Sequence, residues 1–167
     1  MQPISIACFN QDIWIRVTGR GNFLCSAALK QIVQEMIEKE YYHYVIDLKE
    51  CEQLDSTFMG TITGIAQRLR QYQQSLFKVV NVSQSNQDLM ENLGLDELFC
   101  IQSLSMKHQL PPDLSPSCFT ESSFYIPPAE EKEKMHEVVV SAHQSLVEVN
   151  KDNAKKFKDI IEACSKD

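Results

Sequence analysis

Between residues 44 and 104 the chain alternates short β-branched runs with segments of helical period, and that alternation restricts its fold more than any other feature. Tyr44-Val45-Ile46-Asp47-Leu48 reads as a buried central strand, since a continuous apolar run of this length suits a sheet covered by helices. A connection from Lys49 to Asp55 follows. Ser56 then opens a segment in which Met59, Ile62, Thr63, Ala66 and Leu69 share one face, which predicts a helix to about Gln73. Leu76 to Val82 is the next strand. Ser83 can cap a short helix carrying Leu89, Met90 and Leu93, and Gly94 suits the left-handed residue that ends it. Leu98 to Ile101 closes as a strand.

Upstream, Ile4 to Phe9 alternates with period two, Asn10-Gln11-Asp12 supplies turn residues, and Ile13 to Val17 returns, which together predict a β-hairpin. Gly19-Arg20-Gly21-Asn22 breaks the second strand. Leu29, Ile32, Val33, Met36 and Ile37 then recur at helical spacing, so a helix is expected over 24–39 with Ser26 as a possible cap. The order β-β-α-β-α-β-α-β places the chain in the α/β class, a mixed sheet with helices packed against it.

The texture changes after residue 104. Pro111, Pro112, Pro116, Pro127 and Pro128 fall among Ser and Asp, as in a linker. The chain therefore divides into a domain over 1–104, a Pro-rich linker over 105–128 and a C-terminal helical extension over 129–167. In the extension Met135, Val138, Val139, Ala142, Leu146 and Val149 form an apolar stripe, opened by Glu130 and Glu131 whose charges suit a helix N-terminus. Docking of this stripe on the domain in cis is the expectation, because a stripe left exposed would associate. Pairing with a second copy or presentation to a partner's groove are the alternatives.

A formal net charge of −7 opposes any mechanism that begins by neutralising phosphates, so nucleic acid is not an expected partner. No apolar run approaches the roughly 20 residues of a membrane helix, and the opening residues lack the basic start and apolar core of a secretory signal; a cytoplasmic location is expected. Cys8, Cys25, Cys51, Cys100, Cys118 and Cys164 are dispersed and read as buried reduced thiols. His43, His108, His136 and His143 show no ligand spacing, so no metal or cofactor is expected. Phosphate-cradling glycine patterns and base-supported nucleophile motifs are missing, which argues against an enzyme.

Val45-Ile46-Asp47-Leu48 followed by Leu54-Asp55-Ser56-Thr57-Phe58-Met59-Gly60 resembles the STAS family, named for sulfate transporters and anti-sigma factor antagonists. Ser83 to Gly94 and on to Phe99 is similar to that family's closing helix, Gly-Leu turn and last strand, so the resemblance spans about residues 3–104. It implies a bacterial partner switch in transcription regulation. An unphosphorylated antagonist binds an anti-sigma factor that is also a serine-protein kinase with a histidine-kinase-like ATPase fold; phosphorylation of the serine after Asp releases it, and a serine phosphatase can restore it. Ser56 matches the acceptor, with Thr57 as the alternative, and the hydroxyl lies at a helix start where backbone N–H groups tolerate negative charge. Without phosphorylation, Ser56 reads as a helix N-cap. The partner surface implied is Gly19, Arg20, Asn22, Asp55, Ser56, Thr57, Phe58, Met59, Gly60 and Ser83. Two departures stand out: Phe58 replaces a glycine, which sets a ring beside Ser56, and Gly19-Arg20-Gly21-Asn22 replaces Gly-Glu-Leu-Asp. The same resemblance also implies an alternative, an accessory subunit of a transport complex, such as one for lipid, without phospho-regulation.

Overall fold

A computed structural model describes residues 3–105, 110–124, 126 and 128–164. His108 and the linker's Pro127 lie outside the described residues. The hairpin forms from β1 (Ile4–Phe9) and β2 (Asp12–Gly21), which pair antiparallel across the turn. From there each strand leads into a helix and returns parallel: α1 (Phe23–Glu38), β3 (His43–Leu54), α2 (Ser56–Leu69), β4 (Leu76–Val82), α3 (Gln84–Asn92) and β5 (Cys100–Ser103). Beyond them lie a two-residue strand β6 (Thr120–Glu121), α4 (Pro128–Val149) and α5 (Asn153–Cys164). The sheet order is β5-β4-β3-β2-β1-β6, with β6 antiparallel to β1, so the expected mixed α/β sheet is what forms.

Several local expectations move. The first helix is capped by Asn22, whose side chain accepts from the amides of Leu24 and Cys25, while Ser26 lies inside the helix and donates back to the Asn22 carbonyl. Asn22 wins because its extended backbone leaves the strand already poised for the turn. The second helix ends at Leu69 rather than near Gln73. β3 runs on through its polar residues to Leu54, because β2 continues beside it past two irregular steps. The last strand begins at Cys100, since Leu95–Glu97 forms a 3₁₀ turn after left-handed Gly94. Of the cysteines, only Cys25 and Cys51 are buried, where burial pushes both thiols up; Cys8, Cys100 and Cys118 are exposed.

One face of the sheet buries Ile13, Ile15, Tyr44, Ile46 and Val79 against Leu29, Val33, Phe58, Ile62 and Met90 from the helices. The other face is crossed by the Pro-rich segment. There Leu114, 2% exposed, joins Ala7, Trp14, Val45 and Val80, with Leu110 and Phe119 packed alongside. Beneath it Asp47, fully buried, accepts from Arg16 Nε at 3.0 Å and from Asn81 Nδ2 at 2.8 Å, and the Arg16 guanidinium lies 4.0 Å from the centre of the Phe119 ring.

Candidate functional site

Three parallel strands end at one edge of the sheet, and each is followed by a helix capped by a polar residue. Asn22 caps α1, Asp55 caps α2 through a 2.7 Å bond from the Phe58 amide to its carboxylate, and Ser83 caps α3 through the Asn86 amide. Ligands of open α/β sheets gather at this carboxyl edge, where helix N-termini face outward. The Gly19–Asn22 turn and the start of α2 are joined directly, since the Asp55 amide donates to the Gly21 carbonyl at 3.0 Å. Gly21 must be small. A Cβ there would lie 2.5 Å from Leu54 Cδ2 and 3.2 Å from the Phe58 ring. Gly19 has φ +77°, the left-handed backbone that leaves Arg20 exposed on the rim.

The residues expected on the partner surface divide into two groups. Arg20 and Asp55 are exposed, and Gly19, Asn22, Ser56 and Ser83 are half-buried. Thr57, Phe58, Met59 and Gly60 are buried. The Phe58 ring points into the core, under Gly21, with no exposure, so it does not stand beside the Ser56 hydroxyl as the sequence suggested. Its position as the third residue of α2 turns it inward with Ile62. Ser56 is the first helical residue and Asp55 holds the cap, so the hydroxyl of Ser56 is not used in capping.

That hydroxyl is used elsewhere. Ser56 Oγ lies 2.9 Å from Nε2 of His143, a residue of α4 that is 1% exposed. The other ring nitrogen, Nδ1, is 2.7 Å from the Val139 carbonyl, an acceptor only. In the neutral ring Nδ1 therefore carries the proton, Nε2 accepts, and Ser56 donates. The Phe157 ring of α5 packs edge-on against the imidazole, 4.9 Å between centroids. Although Asp55 as a residue is exposed, the packing around its carboxyl removes part of its water and pushes it up, against the pull of the Phe58 and Thr57 amides and of His143.

Around this bond α4 lies against α2 at backbone distance. A Cβ on Gly60 would come 2.2 Å from the Ala142 carbonyl oxygen, and one on Gly64 2.8 Å from Ser145 Oγ. Val138, Ala142 and Leu146 are all but fully buried, so the apolar stripe docks in cis, whereas Met135 at its start stays exposed. The end of α4 is fixed by Asn153, whose amide donates to the carbonyls of Leu93 and Leu146. A cavity of about 230 Å³ remains between α1, α2 and α4, where Lys30 Nζ donates to Ser141 Oγ at 3.1 Å and burial pushes the lysine down. Among the described residues no group of three His, Cys, Asp or Glu side chains could hold a metal, and no helix is long and apolar enough to cross a membrane.

His143 is the residue of this site that the sequence did not single out. Metal-ligand spacing was the wrong test for it. Its place among Val139, Ala142 and Leu146, on the face repeating every three or four residues, is the signal that it is buried.

The sequence model of the family described as "Mlab, STAS domain" matches residues 9–103, more than half of the chain. A protein of Thermotoga maritima, named as a candidate anti-sigma factor antagonist, has a similar crystal structure, with a TM-score of 0.53 at 19% identity over 60% of this chain and 86% of that one. The NMR structure of the protein TM1081 gives a TM-score of 0.54, again at 19% identity, over 63% of this chain and 83% of that one. At that identity the likeness establishes the fold. No curated protein matches the chain. The sequence match, the strand order and the Asp55-Ser56 start of α2 together place this chain in the MlaB-type STAS domain family.

Proposed function

We propose that this chain is a protein-binding regulatory module whose partner face is the rim of Gly19, Arg20, Asn22, Asp55, Ser56 and Ser83. The observation that carries the reading is the side-by-side placement of three helix starts capped by Asn22, Asp55 and Ser83, with the Ser56 hydroxyl in the first turn of the middle one. The partner is an anti-sigma factor or related serine-protein kinase. In the regulated step Ser56 Oγ forms a bond to the γ-phosphorus of ATP, the bridging P–O bond breaks, ADP leaves, and the hydroxyl proton passes to the kinase's base. The phosphoryl group brings roughly −1.5 to −2 charges to a docking face already bearing Asp55, where repulsion and desolvation weaken association. A serine phosphatase reverses it. In this reading ATP is bound by the kinase, and the chain acts by binding.

Titration of the full chain against histidine-kinase-like ATPases from the same genome, with phosphopeptide mapping, tests this reading. One kinase is expected to bind the unmodified chain and lose at least about tenfold in affinity, or 1.4 kcal/mol, for Ser56→Asp. Absence of both binding and phosphate transfer with every such kinase would end it. Ser56→Asp keeps the Asp55 cap and puts an acid in the first turn, where it suits the helix dipole, and it also removes the donor to His143.

A second reading is favoured by the engagement of Ser56 with His143, which withdraws the hydroxyl from solution chemistry. Here the chain is an accessory subunit of a transport complex, such as one for lipid, and phosphorylation plays no part. Co-purification with a transport ATPase and permease, unchanged by Ser56→Ala, distinguishes it.

A further inference from the structure

The partner face and the C-terminal helix meet at the same hydroxyl. We infer that α4 is a built-in competitor: it fills, in cis, a docking groove on α2 that accepts an amphipathic helix of a partner protein, and the Ser56–His143 bond is its latch. The inference rests on the reading of α2 as part of the partner face and names what that face binds. The imprint of α4 specifies the ligand. Gly60 leaves room only for a helix backbone and Gly64 for a short side chain such as Ser145, so the partner helix needs small residues where Ala142 and Ser145 stand. It needs apolar residues at the spacing of Val138 and Leu146, and an acceptor for Ser56 at the position of His143.

Three features make α4 a separable occupant. Its principal contacts are with α2 and the smaller ones with α5 and α1, and Leu146 alone of its buried residues joins the main core, so the sheet keeps most of its own core when α4 leaves. The contact with α2 is apolar and neutral apart from the Ser56–His143 bond, and Lys30 of α1 adds one bond to Ser141 Oγ, so displacement strands no buried ion pair among the described residues. The Pro-rich connection tethers α4 at an effective concentration in the range of about 1 mM, against which a partner helix must compete. Phosphorylation acts on the same latch. A phosphoryl group on Ser56 cannot be accommodated against a ring nitrogen 2.9 Å away and 1% exposed, so modification and docking exclude each other.

The test uses the full chain and a synthetic peptide of residues 129–149. In Leu146→Asp a carboxylate replaces an apolar side chain that has no exposure, so the variant's own helix is expelled while the groove is untouched. The expected result is that this variant binds the wild-type peptide at least about 100-fold more tightly than the wild-type chain does, the tethered helix being removed from the competition. Peptide affinity equal in the two chains would overturn the inference, as would loss of fold by Leu146→Asp, because α4 would then be part of the core and not a competitor. A second measurement is hydrogen exchange. Ser56→Asp is expected to speed exchange of the α4 amides by at least about tenfold while β2, β3 and β4 stay protected; unchanged α4 protection would count against the latch. Neither arm uses a kinase, so failure here leaves the partner-switch reading to its own titration.

Discussion

The C-terminal third of the chain covers the domain twice, and the two coverings are held by different physics. On the bare face of the sheet, residues 110–119 close over a buried charge: Asp47, with no exposure, is paired with Arg16 and hydrogen-bonded to Asn81, and Phe119 lies over the guanidinium. On α2, the helix α4 makes a neutral contact of small residues with one side-chain hydrogen bond at its centre. A buried ion pair is costly to break by halves, since the partner left behind keeps its charge without its solvent. An apolar helix contact can part with its polar group still able to find water. The ion pair itself joins β2 to β3, and the first covering is held to it by Phe119 over Arg16 and by buried Leu114, whereas the second is suited to exchange.

The largest effect that would break this contrast is on the sheet face. Asp47→Ala leaves Arg16 unpaired beneath Phe119, and it should lower the unfolding free energy by about 3–5 kcal/mol in urea. A loss under 1 kcal/mol would mean that water already reaches Arg16, and the two coverings would be alike. Next in size is Leu146→Ala, expected to lose about 2–4 kcal/mol by thermal or urea unfolding if α4 unfolds with the domain. If α4 leaves separately, hydrogen exchange should instead show α4 amides opening while the sheet stays protected, which sharpens the contrast.

Gly60→Ala comes next. The added methyl meets the Ala142 carbonyl oxygen at 2.2 Å, backbone against backbone, so no side-chain rotation relieves it. Overpacking of this kind costs about 1–3 kcal/mol, partly offset by the better helix propensity of Ala over Gly. The separable α4 predicts that the strain is relieved by undocking, read as faster exchange of α4 with little change in the sheet. A uniform loss of stability would tie α4 to the core. Phe119→Ala is expected to cost about 1–2 kcal/mol from the lost cover over Arg16, measured by urea unfolding.

How much of this was legible from residues follows the range of each interaction. The helix caps Ser83 and Gly94 and the strands over 44–48 and 76–82 are local events, set by one side chain and its neighbours, and the sequence expectation for them holds. Ser26 was a plausible cap that lost to Asn22, four residues earlier, because Phe23 and Leu24 give the first turn of α1 no polar signature. Glu50, Cys51, Glu52 and Gln53 carry no strand pattern of their own. They extend β3 only because β2 runs beside them. Phe58 was legible as a departure from the family pattern but not as a core residue, since which way the third residue of a helix points depends on how the helix enters. The Ser56–His143 pair joins residues 87 apart in sequence, across a Pro-rich segment of irregular spacing, and nothing local announces it.

The smallest effect, a coupling energy between two substitutions, is the most diagnostic, because it isolates the latch from the packing around it. Ser56→Ala removes the donor to His143 Nε2, and the ring, 1% exposed, keeps an acceptor without a partner. The expected loss is about 1–3 kcal/mol, the range for an orphaned buried polar group. His143→Phe keeps an aromatic ring against Phe157 and removes the orphan, so the double variant should be more stable than the sum of the two losses implies. A coupling of about 0.5–1.5 kcal/mol in urea unfolding is expected for one neutral hydrogen bond. A coupling of zero would mean that the Ser56 hydroxyl gains nothing from His143 that water does not supply. The grip of α4 on α2 would then lie wholly in Gly60, Ala142 and Leu146, and a charge placed on Ser56 would have no bond there to break.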